Sequence, residues 1–241
     1  ETAGPKYLNT PETPLFHKGA QLYGHTPSLL RGGRPVLVEG PMDAIAVTLA
    51  TQGEYVGVAA LGTALTRGQA RQLRRYTDLP VVATDNDKAG RAAAERDYWI
   101  LTELGHDPLH ATLPDETDPA DLIANGRPED LISALRSSTA LSRFMLKGAI
   151  AEYERTGSLD EAIRVIGAAH PVRWDRAITE LTTATGTPST KLHAALATNL
   201  GMRTSTGQTP HRLVQPASLH NPNSANANGA DTSVGISGPE R

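Results

Sequence analysis

The sequence predicts an α/β fold in which a parallel sheet is flanked by helices, followed by an all-helical subdomain and a disordered tail. Three observations support this: β-branched runs alternate with helical patterns, only helical patterns follow Pro119, and the end of the chain is poor in apolar residues. Continuous apolar runs are typical of strands buried on both faces, and strand–helix alternation favours right-handed βαβ units. The predicted strands are 36–39, 55–60, 80–84 and 108–113.

Three helical patterns follow the first three strands. The first starts near Asp43, and Gly53 ends it. The second begins with Thr66, and Gln69 three residues later completes a capping box. The third follows Gly90 and turns three side chains inward, those of Ala94, Tyr98 and Leu101.

The second half of the chain is predicted to be helical, with Gly or Pro at each junction. The predicted helices are 119–124, 128–136, 139–155, 158–168, 171–185 and 188–200. From about Thr204 onward the residues are mainly Gly, Ser, Asn, Thr and Pro. Such a segment buries too little surface to offset its ordering entropy, so we expect it to be disordered.

Composition sets limits on the class of protein. Hydrophobic residues make up 39% of the chain and aromatic residues only 4%, which predicts a core of Ala, Val and Leu. A net charge of −3 disfavours a uniformly basic nucleic-acid binder, and the lack of cysteine excludes disulfides and cysteine-type zinc sites. We find no apolar run of 18 residues and no signal peptide, so we expect no membrane association and a cytoplasmic location.

Acidic residues stand where two of the predicted strands end. Glu39 ends the first strand and Asp43 follows one helical turn later, while Asp85 and Asp87 follow the third strand. Open α/β folds bind ligands at this carboxyl edge of the sheet. Carboxylates that converge there repel one another unless a cation lies between them, and oxygen ligands favour Mg²⁺ or Mn²⁺. The pattern predicts a metal-dependent phosphoryl-transfer centre.

The spacing of Asp85 and Asp87 supports this interpretation. In an extended chain both side chains face the same way, about 7 Å apart, which suits carboxylates that share one or two metal ions. Lys88 and the start of the next helix would add positive charge for a phosphate. The structural alternatives are an acidic turn that caps this helix, a solvated Glu39 and a simple N-cap role for Asp43.

Five motifs resemble a known family. Glu39-Gly40 with Met42-Asp43, and the Asp-x-Asp-Lys-Ala-Gly run that begins at Asp85, resemble the two signature motifs of the Toprim fold. Three further segments resemble bacterial DnaG-type DNA primases, namely 5–24, 61–78 and 113–123. The resemblance implies the C-terminal half of a primase catalytic core. The domains expected are a primase-like segment over 1–34, a Toprim domain over 35–127, a helical subdomain over 128–203 and the tail over 204–241.

The resemblance also implies roles for individual residues. Glu39 matches the candidate general base or metal ligand of the family. Lys6, Asn9 and Lys18 match polar positions that line the nucleotide and template side of the cleft. Asp118 matches the first acid of a third motif and is a further candidate metal ligand. Where these primases usually carry the second acid, this chain has Ala120 with Asp121 next to it, which puts that position in doubt.

The function implied is a primase-like nucleotidyltransferase that makes RNA primers on single-stranded DNA from NTPs, with Mg²⁺ or Mn²⁺ as cofactor. The family's zinc-binding module is missing and the chain starts inside a family motif, so we expect a fragment of a larger protein whose activity in isolation is open. Whether a replicative helicase, or a fused relaxase or helicase domain, is a further partner is left open by the sequence. The alternatives are another Toprim enzyme, such as a nuclease or topoisomerase component, and a non-catalytic nucleic-acid-binding module of a plasmid, phage or conjugation protein.

Overall fold

The computed structural model of the chain describes residues 13, 17–24, 27–61, 64–85 and 88–205, and the side chains of these except at 18 and 202–205. All of them belong to a compact unit, Glu1–Thr209. The strands are β1 Arg34–Val38, β2 Tyr55–Ala59, β3 Val81–Val82, β4 Leu109–His110 and β5 Thr139–Ala140. The helices are α1 Pro27–Leu30, α2 Pro41–Ala50, α3 Arg67–Leu73, α4 Lys88–Glu103, α5 Pro119–Ala124, α6 Pro128–Arg136, α7 Leu141–Thr156, α8 Asp160–Ala168, α9 Trp174–Thr185 and α10 Ser189–Ser205, with 3-10 turns at Lys18–Ala20 and Pro171–Arg173.

The five strands form one sheet in the order β2-β1-β3-β4-β5. The first four are parallel, which confirms the predicted fold class, and β5 is antiparallel to β4. The prediction that helix 139–155 begins at residue 139 was wrong, because Thr139 and Ala140 pair with β4 before α7 starts. A strand of two residues is too short to show an alternating pattern in the sequence.

Both faces of the sheet are covered, which explains the continuous apolar runs. Val36 and Val38 face a core shared with α2, α5 and α6. Leu37 faces the opposite core, to which α3, α4 and α7 to α10 contribute. Successive residues of one strand therefore enter different cores, and neither face of the strand is available for polar side chains.

Several helix predictions are confirmed and two are corrected. The capping box is present. The Gln69 backbone N–H donates to Thr66 Oγ1 over 3.1 Å, and the Thr66 backbone N–H donates to Gln69 Oε1 over 2.9 Å. The structure gives α5 and α6 the predicted bounds. The predicted helix 171–185 divides into a 3-10 turn and α9, and α10 continues to Ser205, so the first two residues of the predicted tail are helical.

The inward side of α4 connects the sheet to the C-terminal helices. Ala94, Tyr98 and Leu101 are fully buried, as predicted. The Tyr98 hydroxyl donates to the Val165 carbonyl oxygen of α8 over 2.7 Å. Among the described residues, no helix is both long and apolar enough to span a membrane.

We predict that the close approach of α2 to β2 depends on Gly57. A Cβ at this position would overlap the Ala44 backbone of α2. The Gly57→Ala substitution should therefore lower the free energy of unfolding by roughly 2 kcal/mol or more, as overpacking does in cores. Urea denaturation measures this change.

Gly148→Ala in α7 is the matched control, since a Cβ there would have nothing within 4 Å. It should leave stability unchanged or raise it by about 1 kcal/mol through helix propensity. Equal stability of the two variants would contradict the packing described between α2 and β2.

Candidate metal centre

Glu39 and Asp85 lie next to each other along the carboxyl edge of the sheet. Leu37 of β1 is in register with Val82 of β3, and the Ala83 N–H donates to the Leu37 carbonyl oxygen over 2.9 Å. Glu39 follows two residues later and is exposed, while Asp85 is half-buried. Neighbouring strands are about 4.8 Å apart. The register continues to Glu39 opposite Thr84, so Glu39 and Asp85 lie at the same edge of the sheet, one residue out of register.

Four of the predicted site residues lie outside the part of the chain that the structure describes, three entirely and one with its side chain. Asp87, Lys6 and Asn9 are not described, and Lys18 begins a 3-10 turn without a described side chain. Their assignments remain predictions. Lys88 is the first residue of α4 and is exposed.

Asp43 connects the beginnings of two helices. Its Oδ2 accepts the Gly40 N–H over 3.0 Å, and its Oδ1 accepts the Ala120 N–H of α5 over 3.3 Å. The side chain is buried, and burial raises its pKa, with the nearby Asp118 carboxylate raising it further. The structure thus gives Asp43 a bridging role between α2 and α5, and its role as a metal ligand remains a prediction.

Asp118 is the N-cap of α5. Its Oδ1 accepts the Asp121 N–H over 2.6 Å, while the Asp121 side chain is exposed. This is the geometry of an ordinary helix cap, although a capping carboxylate keeps lone pairs for a cation. The Ala120 N–H donates to Asp43, which holds residue 120 at the start of α5. The Asp121 side chain therefore does not occupy the position of the acid that Ala120 replaces.

Asp97 of α4 is an acid that the sequence analysis missed. Only 8% of it is exposed, and it lines a cavity of about 260 Å³ together with Glu39 and Thr84. Burial raises its pKa to about 7, while Arg96 lowers it and Glu39 raises it. The signal was available, because position 97 lies on the same helix side as Ala94 and Leu101, where an acid is unexpected.

Gly90 allows α4 to start close to Asp85. A Cβ on Gly90 would overlap the Asp85 carbonyl oxygen. The first turn of α4 therefore holds the backbone that carries Asp85. This gives the glycine of the Asp-x-Asp-Lys-Ala-Gly motif a positional function that needs no side chain.

The donor set fits a hydrated divalent cation. Among the residues that the structure describes, no three His, Cys, Asp or Glu side chains are grouped closely enough to hold a metal by themselves. Mg²⁺ is commonly held by one or two carboxylates with water completing its coordination. Glu39 and Asp85 supply that number, and Asp87 is two residues further along the chain.

Asp85 lines a different, small pocket. Thr84, Asp85, Arg91, His110 and Phe144 line it. The His110 ring stacks on Phe144 with centroids 4.2 Å apart, and burial lowers the pKa of His110 to about 4. His110 is therefore neutral near pH 7 and adds no charge to the acidic edge.

Comparisons with known proteins agree with this geometry. Residues 36–123 match a family described as Toprim-like. A DNA primase of Clostridium acetobutylicum is 31% identical over 204 residues, covering 81% of this chain and 34% of the relative. The zinc-binding and RNA polymerase domains of Aquifex aeolicus primase have a TM-score of 0.63 at 30% identity, over 80% of this chain and 48% of that one. A DnaG primase catalytic domain bound to ssDNA has a TM-score of 0.63 at 28% identity, over 79% and 64%.

The chain spans about a third of the length of the Clostridium relative. The matched part includes the strands and helices that carry Glu39, Asp43 and Asp85. The likeness therefore covers the candidate metal centre, whereas most of the relative's length has no counterpart in the match.

We predict that Asp97 makes stability depend on pH. Its pKa is raised in the folded state, so its contribution to stability is full below pH 4 and is lost as the pH rises to about 7. Asp97→Asn removes this loss. In EDTA, the melting temperature of the variant relative to wild type should therefore be higher at pH 8 than at pH 5.

Glu95→Gln removes the same charge from an exposed position on α4 and is the control. The difference in melting temperature between Glu95→Gln and wild type should be nearly the same at pH 5 and at pH 8. An Asp97→Asn difference that is equally constant would show that Asp97 ionises normally in the fold.

Proposed function

Because the chain carries a Toprim-like domain of the DnaG primase type, we propose that it is the metal-binding part of a nucleotidyltransferase that makes RNA primers on single-stranded DNA. The observation that carries the proposal is the adjacent placement of Glu39 and Asp85 at the carboxyl edge of the sheet. The Clostridium acetobutylicum relative is a DNA primase, which disfavours the nuclease and topoisomerase alternatives.

Glu39, Asp85 and Asp87 would hold Mg²⁺ or Mn²⁺, with Asp43 and Asp118 as the further candidates. When bound, the cation would activate a ribonucleotide 3′-hydroxyl and stabilise the leaving pyrophosphate. Glu39 is the exposed carboxylate of the pair and is also the candidate base for the hydroxyl proton. Lys88, exposed at the first turn of α4, would attract a phosphate group.

The substrates proposed are a single-stranded DNA template and NTPs. One similar catalytic domain has been solved with ssDNA, which supports the template assignment. Lys6, Asn9 and Lys18 would contact the nucleotide or the template, since cationic side chains bind phosphates and release counterions. A replicative helicase, or a fused relaxase or helicase domain, is the proposed partner, and the cytoplasm is the proposed location.

We predict that Asp85→Ala/Asp87→Ala strongly weakens cation binding. Both substitutions remove carboxylates from the proposed centre, so isothermal titration with Mg²⁺ in the millimolar range should give much less heat for the variant than for wild type. The same substitutions in the complete open reading frame should remove primer synthesis from labelled NTPs on single-stranded DNA.

The charge-matched control is Glu95→Ala/Glu154→Ala, in which both residues are exposed and lie on helices away from the sheet edge. It should bind Mg²⁺ like wild type. Equal heats from wild type and the Asp85/Asp87 variant would rule out the metal assignment, and retained primer synthesis would rule out the function.

We also predict that Gly90→Ala weakens Mn²⁺ binding by about tenfold or more, although it removes no ligand. Its Cβ would displace the Asp85 backbone, and changes behind a metal ligand commonly have effects of this size. Mn²⁺ binding is measured by electron paramagnetic resonance, with Gly148→Ala as the control. Wild-type affinity in Gly90→Ala would mean that Asp85 does not need this position to bind the cation.

A further inference from the structure

The cavity that Glu39 lines lies between the sheet and α4. Its volume is about 260 Å³. The ends of β1, β2 and β3 form one wall, through Glu39, Ala60 and Thr84, and α4 forms the other through Ala93, Arg96 and Asp97. Small alanine side chains keep it open, and its charged groups are two carboxylates and the guanidinium of Arg96.

Asp97 enters this cavity without a partner. Its carboxylate makes no hydrogen bond and no ion pair with any described residue, although only 8% of the residue is exposed. Arg96, its neighbour in sequence, lines the same cavity and lowers the pKa of Asp97, but it forms no ion pair with the Asp97 carboxylate. A buried and unpaired carboxylate is unfavourable, so a ligand of positive charge would gain from occupying the cavity.

We propose that Glu39 and Asp97 hold a hydrated divalent cation on the α4 side of the crevice, in a cavity that Asp85 does not line. Two carboxylates with several waters form a common Mg²⁺ environment. Six waters occupy roughly 180 Å³ at about 30 Å³ each, so the cavity accommodates a hydrated ion. The Thr84 hydroxyl, buried at the same wall, can bond one of these waters.

The local charges agree with a cation and disagree with an anion. Burial is the main cause of the raised pKa of Asp97, and the Glu39 carboxylate also contributes to it. Arg96 opposes them with one positive charge, which leaves the cavity with a net negative charge when both acids are ionised. The subsite does not depend on nucleotidyl transfer, since an ion can bind there in a chain that makes no primer.

The test uses Mn²⁺ as a paramagnetic probe of position. In the Asp85→Asn/Asp87→Asn background, added Mn²⁺ should broaden the amide resonances of Ala93 and Arg96 on α4. Adding Asp97→Asn should abolish this broadening and lower the Mn²⁺ affinity by about tenfold or more, whereas adding Glu95→Gln should change neither. Broadening that persists with Asp97→Asn would overturn the proposal.

Arg96→Gln, added to the Asp85→Asn/Asp87→Asn variant, gives a second and independent test. Removing the opposing positive charge should tighten Mn²⁺ binding severalfold, and no tightening would count against the subsite. Failure of the proposed function would be observed separately. It would appear as primer synthesis that survives Asp85→Ala/Asp87→Ala, and this result does not depend on whether Mn²⁺ broadens resonances near Asp97.

Discussion

Repulsion among carboxylates at one edge of the sheet is the constraint on which the candidate site depends. Burial raises the pKa of Asp43 and of Asp97, and the charge of Glu39 adds to the rise in both. Glu39 is therefore the centre of an acidic crevice whose members belong to different elements. A divalent cation stabilises such an arrangement because it replaces mutual repulsion with shared attraction.

The packing of the fold keeps these carboxylates in place. Strands buried on both faces cannot turn a side chain without exposing core residues, so polar groups are confined to the strand ends. Gly57 permits α2 to lie directly on β2, and Gly90 permits α4 to begin against Asp85. Asp43 then connects α2 to α5 through backbone N–H groups, which fixes the position of Asp118 as well.

The sequence predicted the parallel sheet and most helices because their signals are local. Continuous apolar runs marked the strands, and Thr66 with Gln69 marked the start of α3. It also predicted that Glu39 and Asp85 share an edge, since parallel strands end together. The antiparallel β5 was not predicted because a strand of two residues is too short to show an alternating pattern. The strand β4 is shorter than its apolar run because only Leu109 and His110 pair with neighbouring strands.

The polar partners of the site residues were harder to predict. The bond from Ala120 to Asp43 joins residues 77 positions apart, so it depends on tertiary packing rather than on local pattern. Asp97 belongs to none of the motifs, and the other inward residues of its helix face are apolar, so the pattern predicts a buried stripe rather than a site residue. An acid on an inward face conflicts with burial, and such conflicts are found where a ligand offsets the cost.

The most direct test of the account is the position of Mn²⁺ in a crystal, located by its anomalous scattering. The account predicts a peak between the carboxylates of Glu39 and Asp85, at the carboxyl ends of β1 and β3. Strong peaks found only elsewhere on the molecule, with none within bonding distance of Glu39 and Asp85, would contradict it.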